Sequence, residues 1–208
     1  MIMIKEEKLN ANYLSFIKYL EKYNCYSEQM INDIGEQIKV APYSTTLEFG
    51  GAEPGGLIDV TLNVLCKIGA EINQNVLGGK EQMNHPYLCV NLNQLMKVLL
   101  LVNISKAVTF IPNPSQWHRD KLGKMYDFAE QATKLKLGQR SIYLCQKYGI
   151  VLEEVEYEAF LALDSNVDEI GSCYQSPLYT LVKITKMLTE LELYRKYKAS
   201  LVNNSVEK

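Results

Sequence analysis

At residues 55–62 the chain is Gly-Gly-Leu-Ile-Asp-Val-Thr-Leu, and at residues 99–107 it is Leu-Leu-Leu-Val-Asn-Ile-Ser-Lys-Ala. The first stretch leaves a loop rich in glycine and proline, and apolar residues at helical spacing continue from it to Ile72. The second ends a run, 92–102, that is apolar on nearly every side and is typical of a buried central helix. Its predicted N-cap is Asn91. The two stretches together predict the buried seam of a helical protein.

The rest of the chain also favours helices. Apolar spacing of three and four residues predicts them at 11–23, 28–38, 141–148, 153–163, and from Ser176-Pro177 through Tyr194. Strand-like composition on either side of Asn113-Pro114-Ser115 predicts a small β-hairpin near 108–128 that carries Trp117. The predicted fold class is therefore mostly α.

Length and composition bound the domain organisation. A chain of 208 residues with 47% hydrophobic and 22% charged residues fits one globular domain. We expect residues 1–41 to be N-terminal helices packed on the core, 42–198 to be the main helical domain, and 199–208 to be a flexible tail.

Charge and hydropathy exclude several classes of function. A net charge of -2 gives no bulk attraction to nucleic acid or to anionic membranes. The longest apolar run, 98–102, is too short to span a bilayer, and the first residues lack the profile of a signal peptide. Five scattered cysteines without CxxC spacing predict reduced core thiols, with Cys66, Cys89 and Cys145 in apolar runs. We expect a cytoplasmic protein without membrane contact, either in a host cell or in a virion.

From about Pro42 to Glu192 the order of elements resembles the HD-domain metal-dependent phosphohydrolases, especially the small bacterial and phage members. Those relatives have Gly-Gly-Leu-Leu-Glu-His-Thr-Leu at the position of residues 55–62, so their metal-binding histidine falls on Val60. Their His-Asp pair falls on Val102 and Asn103, whereas the lysine and alanine that follow are retained as Lys106 and Ala107. The resemblance implies an HD-like helical bundle.

The later ligand positions of the family are also replaced. One histidine, in a motif similar to residues 135–148, falls on Leu137, and the next falls near Leu163. The closing aspartate falls on Lys186. Aliphatic side chains offer no lone pair to a divalent metal, and a lysine repels one. The resemblance therefore implies a scaffold that has lost its metal site, with no cofactor and no catalytic residue.

Lys186 has two interpretations. In the first, it supplies positive charge at the former metal position and pairs with Asp59 or an anion. In the second, which we favour, it reaches solvent or a surface carboxylate. We predict a catalytically inactive protein used for protein binding or assembly, with a phage structural or accessory role. The partner is another protein or a second copy of the chain.

Two alternatives stay open. One is a nucleotide or nucleic-acid phosphohydrolase with a rebuilt metal site, drawn from a set of polar loop residues: His118, Asp120, Asp127 and Glu48 or Glu53. The other is a module that binds a nucleotide without cleaving it, through Lys186, Lys106 and Arg140. Ordinary loop polarity is the simpler interpretation of the first set.

Aromatic residues raise a further question of surface function. Trp117, beside Arg119 and Lys121, has the composition of a stacking and phosphate patch, but we favour a tryptophan that anchors the hairpin on the core. Many of the fourteen tyrosines lie outside the predicted core stripes. They suit either a protein interface on the terminal helices or the rim of a helical core.

Overall fold

A computed structural model describes residues 6–77, 90–130, 134–164 and 175–206. In these ranges the chain is mostly helical, with one antiparallel two-stranded hairpin. The helices are α1 (Glu6–Lys22), α2 (Glu28–Val40), α3 (Gly56–Val60), α4 (Cys66–Leu77), α5 (Leu92–Leu101), α6 (Lys106–Thr109), α7 (Gln116–Leu122), α8 (Leu137–Lys147), α9 (Glu154–Leu161) and α10 (Pro177–Val206). The strands are β1 (Phe110–Pro112) and β2 (Tyr126–Phe128). Among the helices of these ranges, none is both long and apolar enough to cross a lipid bilayer.

Side-chain caps explain where several helices begin. The Asn91 side chain accepts a hydrogen bond from the backbone N–H of Asn93 at 2.8 Å, which confirms the predicted start of α5. The Ser176 hydroxyl accepts one from the N–H of Tyr179 at 3.1 Å, immediately before Pro177 opens α10. Helix α8 begins earlier than its predicted start at Ser141, because the Asp164 carboxylate accepts bonds from the first N–H groups of that helix.

Helix α5 is the centre of the core, as its apolar sequence predicts. Its side chains at Leu95, Leu99 and Leu101 are fully buried. Apolar residues of α1 and α2, such as Phe16 and Met30, belong to the same core cluster, so the N-terminal helices pack on the body of the protein. The apolar residues of one face of α10 complete the cluster.

The helix predicted from residue 57 to residue 72 is present, but it is not uniform. A π-helical turn, Thr61–Leu65, joins α3 to α4, and the N–H of Cys66 bonds to the carbonyl of Thr61. A π turn inserts one extra residue and rotates the side chains that follow. Apolar spacing does not reveal this rotation, since one extra residue leaves a broad apolar stripe continuous.

The predicted hairpin is confirmed, whereas the predicted place of Trp117 is wrong. Strands β1 and β2 pair Phe110 with Phe128 and Pro112 with Tyr126, and the two phenylalanine rings meet edge to face at 5.3 Å. The connection between them contains α7, which begins at an N-cap serine and ends at Gly123. Trp117 lies on α7 with 60% of its surface exposed, against the ring of His118. The short helix turns the indole outward, so the phenylalanine pair stabilises the hairpin instead.

Helix α10 extends into the segment, 199–208, for which a flexible tail is expected. Helix α10 continues to Val206, well beyond Tyr194. No glycine or proline interrupts residues 195–206, and contacts between successive turns extend the helix. Lys196 lies 3.7 Å from the carboxylate of Glu192, and the Ser200 hydroxyl donates to the carbonyl of Tyr197.

Candidate functional site

The residues at the supposed ligand positions of α3 and α5 are core residues. Val60 and Val102 are both buried. The backbone carbonyl of Val102 accepts a hydrogen bond from the Ser141 hydroxyl at 2.8 Å, which ties α8 to the end of α5. Neither valine offers a lone pair to a ligand, and both contribute apolar surface to the packing of the seam.

Polar atoms without partners lie beside this seam. Asn103 is buried, and within the described part of the chain its Nδ2 has no hydrogen-bond partner. The same holds for the hydroxyl of Thr185 on α10. Buried polar atoms without partners lower stability, and their number in folded proteins is small. These two atoms therefore lower the stability of the packing around the seam.

Lys106 is the most unusual charged residue of the seam. Its ammonium lies 3.5 Å above the centre of the Tyr43 ring, and both side chains are buried. Over the described residues, no carboxylate lies within ion-pair distance of it. The pKa of Lys106 is lowered to about 7, mainly by burial and also by the nearby Lys186, while Glu190 opposes both. Burial likewise raises the pKa of the Tyr43 hydroxyl.

The low pKa predicts how stability depends on pH. In the unfolded chain Lys106 loses its proton only above about pH 10, because its pKa there is 10.5. In the folded protein it loses its proton near pH 7. The unfolded chain therefore binds more protons between pH 7 and pH 10, so the free energy of unfolding rises with pH in this window. Replacement of Lys106 by methionine removes the cost of burying the charge.

We expect Lys106→Met to be more stable than the wild type by about 2 kcal/mol at pH 7, since the cation–π contact offsets part of the burial cost. The difference should shrink towards pH 10. Urea unfolding of both proteins from pH 6 to pH 10 measures it. Exposed Lys121→Met is the control and should follow the wild type. A constant difference across the range would show that Lys106 is charged in the folded protein throughout.

Lys186 takes the place that the sequence favours for it. Its ammonium lies 3.8 Å from the Glu190 carboxylate and donates to the carbonyl of Leu163 at 3.4 Å. It is close enough to Lys106 to lower the pKa of that lysine. The structure therefore brings together Lys106, Lys186 and the backbone at Leu163.

Asp59 belongs to a different face of the protein. One of its carboxylate oxygens accepts hydrogen bonds from the side-chain amides of Asn12 and Asn63, each at 3.1 Å. The ammonium of Lys8 on α1 lies 3.3 Å from the same oxygen. Asp59 thus ties α1 to α3 and makes no ion pair with Lys186.

Leu137 and Arg140 lie in the first turns of α8, and both are half-buried. The carbonyl of Leu137 accepts a hydrogen bond from the hydroxyl of Ser105 at 2.8 Å. This bond places the start of α8 against the turn between α5 and α6. Helix α8 therefore contacts the seam through Leu137, and α10 approaches Lys106 through Lys186.

A metal centre has no support in the described ranges, which contain no group of three histidine, cysteine, aspartate or glutamate side chains close enough to share an ion. Asp127, one of the residues considered for a rebuilt site, binds Lys124 at 3.1 Å. His85 and Cys89 lie outside the described residues.

Burial raises the pKa values of Cys25, Cys66 and Cys145 to about 12, so these core thiols stay protonated.

The outer face of α10 is a feature that the sequence analysis did not separate from the core. Four apolar side chains alternate at spacings of three and four residues along it. We call them the α10 stripe: Ile184 (43% exposed), Met187 (61%), Leu191 (55%) and Tyr194 (39%). Beside the stripe, a groove of about 560 Å³ runs between α4 and α10, with Ile68 and Leu188 among its walls. The sequence does indicate an exposed apolar face on α10, because the apolar residues of this helix occupy more than one of its faces.

Comparison with known proteins adds no family to this description. A scan against protein-family models, a search of curated proteins and a search of solved structures each found no match.

Proposed function

We propose that this protein is a non-catalytic assembly protein that associates with a second copy of itself through the α10 stripe. The observation that carries the proposal is the stripe itself, an apolar surface at the spacing of a helix interface that nothing in the described structure covers. The resemblance to HD-domain proteins, with its ligand positions occupied by Val60, Val102 and other poor ligands, supports the absence of catalysis. A phage structural or accessory role is compatible with such a protein.

The geometry of α10 leaves room for another helix. Thr185, Thr189 and Leu193 turn into the protein and are buried, so the inner face already holds α10 in place. The stripe lies on the outer side. Alternating spacings of three and four residues suit packing of one helix against another, with side chains of one inserted between those of the other.

Charge favours a second copy of the chain in parallel orientation. In a parallel pair of helices, a residue beside the line of contact on one helix faces the residue five positions later on the other helix. Glu190 and Arg195 flank the stripe with this separation, so each would meet the opposite charge on the other copy. Their contacts within α10 are 3.8 Å to the half-buried Lys186 and 3.5 Å to Glu192, which are long distances for ion pairs, so each contributes little. Lys198, one step beyond the stripe, lies over the Tyr194 ring.

Leu191→Glu is expected to abolish association, because it places a carboxylate at the centre of the apolar contact. We expect the wild type to form a dimer at micromolar concentration in sedimentation equilibrium and the variant to dissociate at least about a hundredfold more readily. The control is Leu14→Glu, since Leu14 is 60% exposed and lies on α1, which packs on α2 and α3. Circular dichroism should show all three proteins folded.

A charge exchange tests the partner and its orientation. Glu190→Arg alone and Arg195→Glu alone should each weaken the dimer, whereas the double variant should restore it because the two charges again face each other across the pair. A wild type that remains monomeric at about 100 µM would overturn the proposal. So would a dimer that Leu191→Glu leaves intact.

A further inference from the structure

A second concave surface adjoins the groove and shares Asn63 and Lys67 with it. This cleft, of about 400 Å³, is bounded by α1, by the π turn with the first residues of α4, and by α5. Its volume falls within the range of small-molecule sites in proteins. The lining residues combine cationic, amide, hydroxyl and apolar groups: Asn12, Ser15, Tyr19, Lys22, Tyr23, Leu62, Asn63, Cys66, Lys67, Ala70, Leu92 and Met96.

The charged groups of the cleft have one sign. Lys22 on α1 and Lys67 on α4 contribute ammonium groups, and none of the lining residues, all from the described part of the chain, is acidic. Asp59 is near, but its carboxylate oxygen accepts the amides of Asn12 and Asn63 and faces Lys8. Two lysines on a concave surface whose lining contains no carboxylate raise the local concentration of anions.

The remaining lining groups suit a flat apolar body. Tyr19 is 38% exposed, and its ring stacks on that of Tyr23 with the ring centres 6.1 Å apart. Lys22 lies 5.2 Å from the centre of the Tyr23 ring, so the cation and the aromatic surface are neighbours. Met96 and Cys66, both buried, supply apolar surface from α5 and α4. Aromatic rings and positive charge together bind planar anions by stacking and by attraction.

The π turn connects the cleft to an irregular part of the fold. Leu62 and Asn63 belong to this turn, and Cys66 and Lys67 follow it directly. A π turn is less favourable than continuous α-helix and occurs often at functional sites. Cys66 and Lys67 therefore line the cleft immediately after an irregular turn.

We propose that this cleft binds a small organic anion with a planar aromatic body, about the size of a nucleoside monophosphate. The lysines attract the phosphate or carboxylate group, and Tyr19 with the apolar walls contacts the ring. The inference is independent of self-association, since Lys22, Tyr19 and Asn12 line the cleft but not the α4–α10 groove. Lys67 lines both the cleft and the groove, so its replacement would not test either surface alone.

Calorimetric titration of the full chain tests the cleft with matched probes. Adenosine monophosphate and 2-naphthoate carry the two kinds of anionic group, and adenosine and 2-naphthol are their uncharged counterparts. We expect at least one anion to bind with a Kd below about 1 mM and its uncharged counterpart to bind about tenfold more weakly. Preference for the nucleotide would indicate a phosphorylated ligand, and preference for the naphthoate a carboxylate.

Lys22→Ala should weaken binding of that anion about tenfold, because the lost ammonium is one of two that face it. Lys18→Ala is the control: Lys18 lies one turn earlier on α1, is exposed and does not line the cleft. Tyr19→Leu should weaken the binding of the aromatic anion and leave the weak binding of inorganic phosphate unchanged. Absence of binding by both anions would overturn the proposal. Equal loss of affinity in Lys18→Ala and Lys22→Ala would overturn it too.

Discussion

Gly56→Ala is expected to destabilise the protein by about 3 kcal/mol or more, because the loop before α3 packs directly on this position. A methyl group at residue 56 would overlap the backbone carbonyl oxygen of Gly51 and lie 2.8 Å from its carbon. Backbone atoms cannot move aside by a change of rotamer, so the whole loop would shift. The same carbonyl accepts the N–H of Tyr43 at 2.7 Å, and Tyr43 forms the surface beneath Lys106. The substitution should therefore disturb the seam as well as the loop.

Urea unfolding followed by circular dichroism measures this effect, with Gly35→Ala as the control. The nearest atom to a methyl group at residue 35 is the hydroxyl tip of the Tyr13 side chain, at 2.5 Å, and this half-buried side chain can rotate away. Alanine also favours the interior of α2, so Gly35→Ala should change stability by less than about 1 kcal/mol. Wild-type stability in Gly56→Ala would mean that residues 51 and 56 are not in contact in solution.

Lys97→Met is expected to cost about 3 kcal/mol, because it leaves the carboxylate of Glu156 buried without its cation. The two charged groups are 2.7 Å apart, with side-chain exposures of 14% for Lys97 and 2% for Glu156. The ammonium also donates to the carbonyl of Val151 at 2.7 Å, so this lysine holds the start of α9 against α5. The Glu156 carboxylate keeps one bond, from the N–H of Glu153 at 2.9 Å.

The companion variant separates the unpaired charge from lost packing. Lys97→Met combined with Glu156→Gln should be more stable than Lys97→Met alone, because a neutral amide oxygen still accepts the Glu153 N–H without a charge. Lys124→Met breaks the exposed pair with Asp127 and should cost less than about 1 kcal/mol. The midpoint of urea unfolding at pH 7 ranks the four proteins. Equal stability of the single and double variants would show that Glu156 is neutral or hydrated in the folded protein.

Local pattern predicts much of the fold. The α5 run is apolar on nearly every side, so only a central position can bury it. Asn91 and Ser176 cap helices where the sequence predicts their starts, since a side-chain cap needs only neighbours in the chain. The strands of the hairpin were also predictable from their composition.

Three of the places where sequence-based prediction failed depend on more than the local pattern. The exposure of Trp117 depends on how α7 packs on the rest of the protein. The early start of α8 depends on Asp164, 27 residues after Leu137. The π turn leaves the apolar stripe unbroken. In each case the deciding contact comes from a residue distant in sequence or from the rotation of a helix about its own axis.

By itself, the sequence determined that the protein is mostly helical and that its core forms around residues 92–102. Only the tertiary structure decided which charged residues are buried and which apolar residues are not. Lys106 is enclosed over Tyr43, whereas Leu191 on α10 faces outward, although a lysine is usually solvated and a leucine usually buried. The physical reason is that spacing defines the faces of a helix, but the neighbouring helices determine which of those faces is covered.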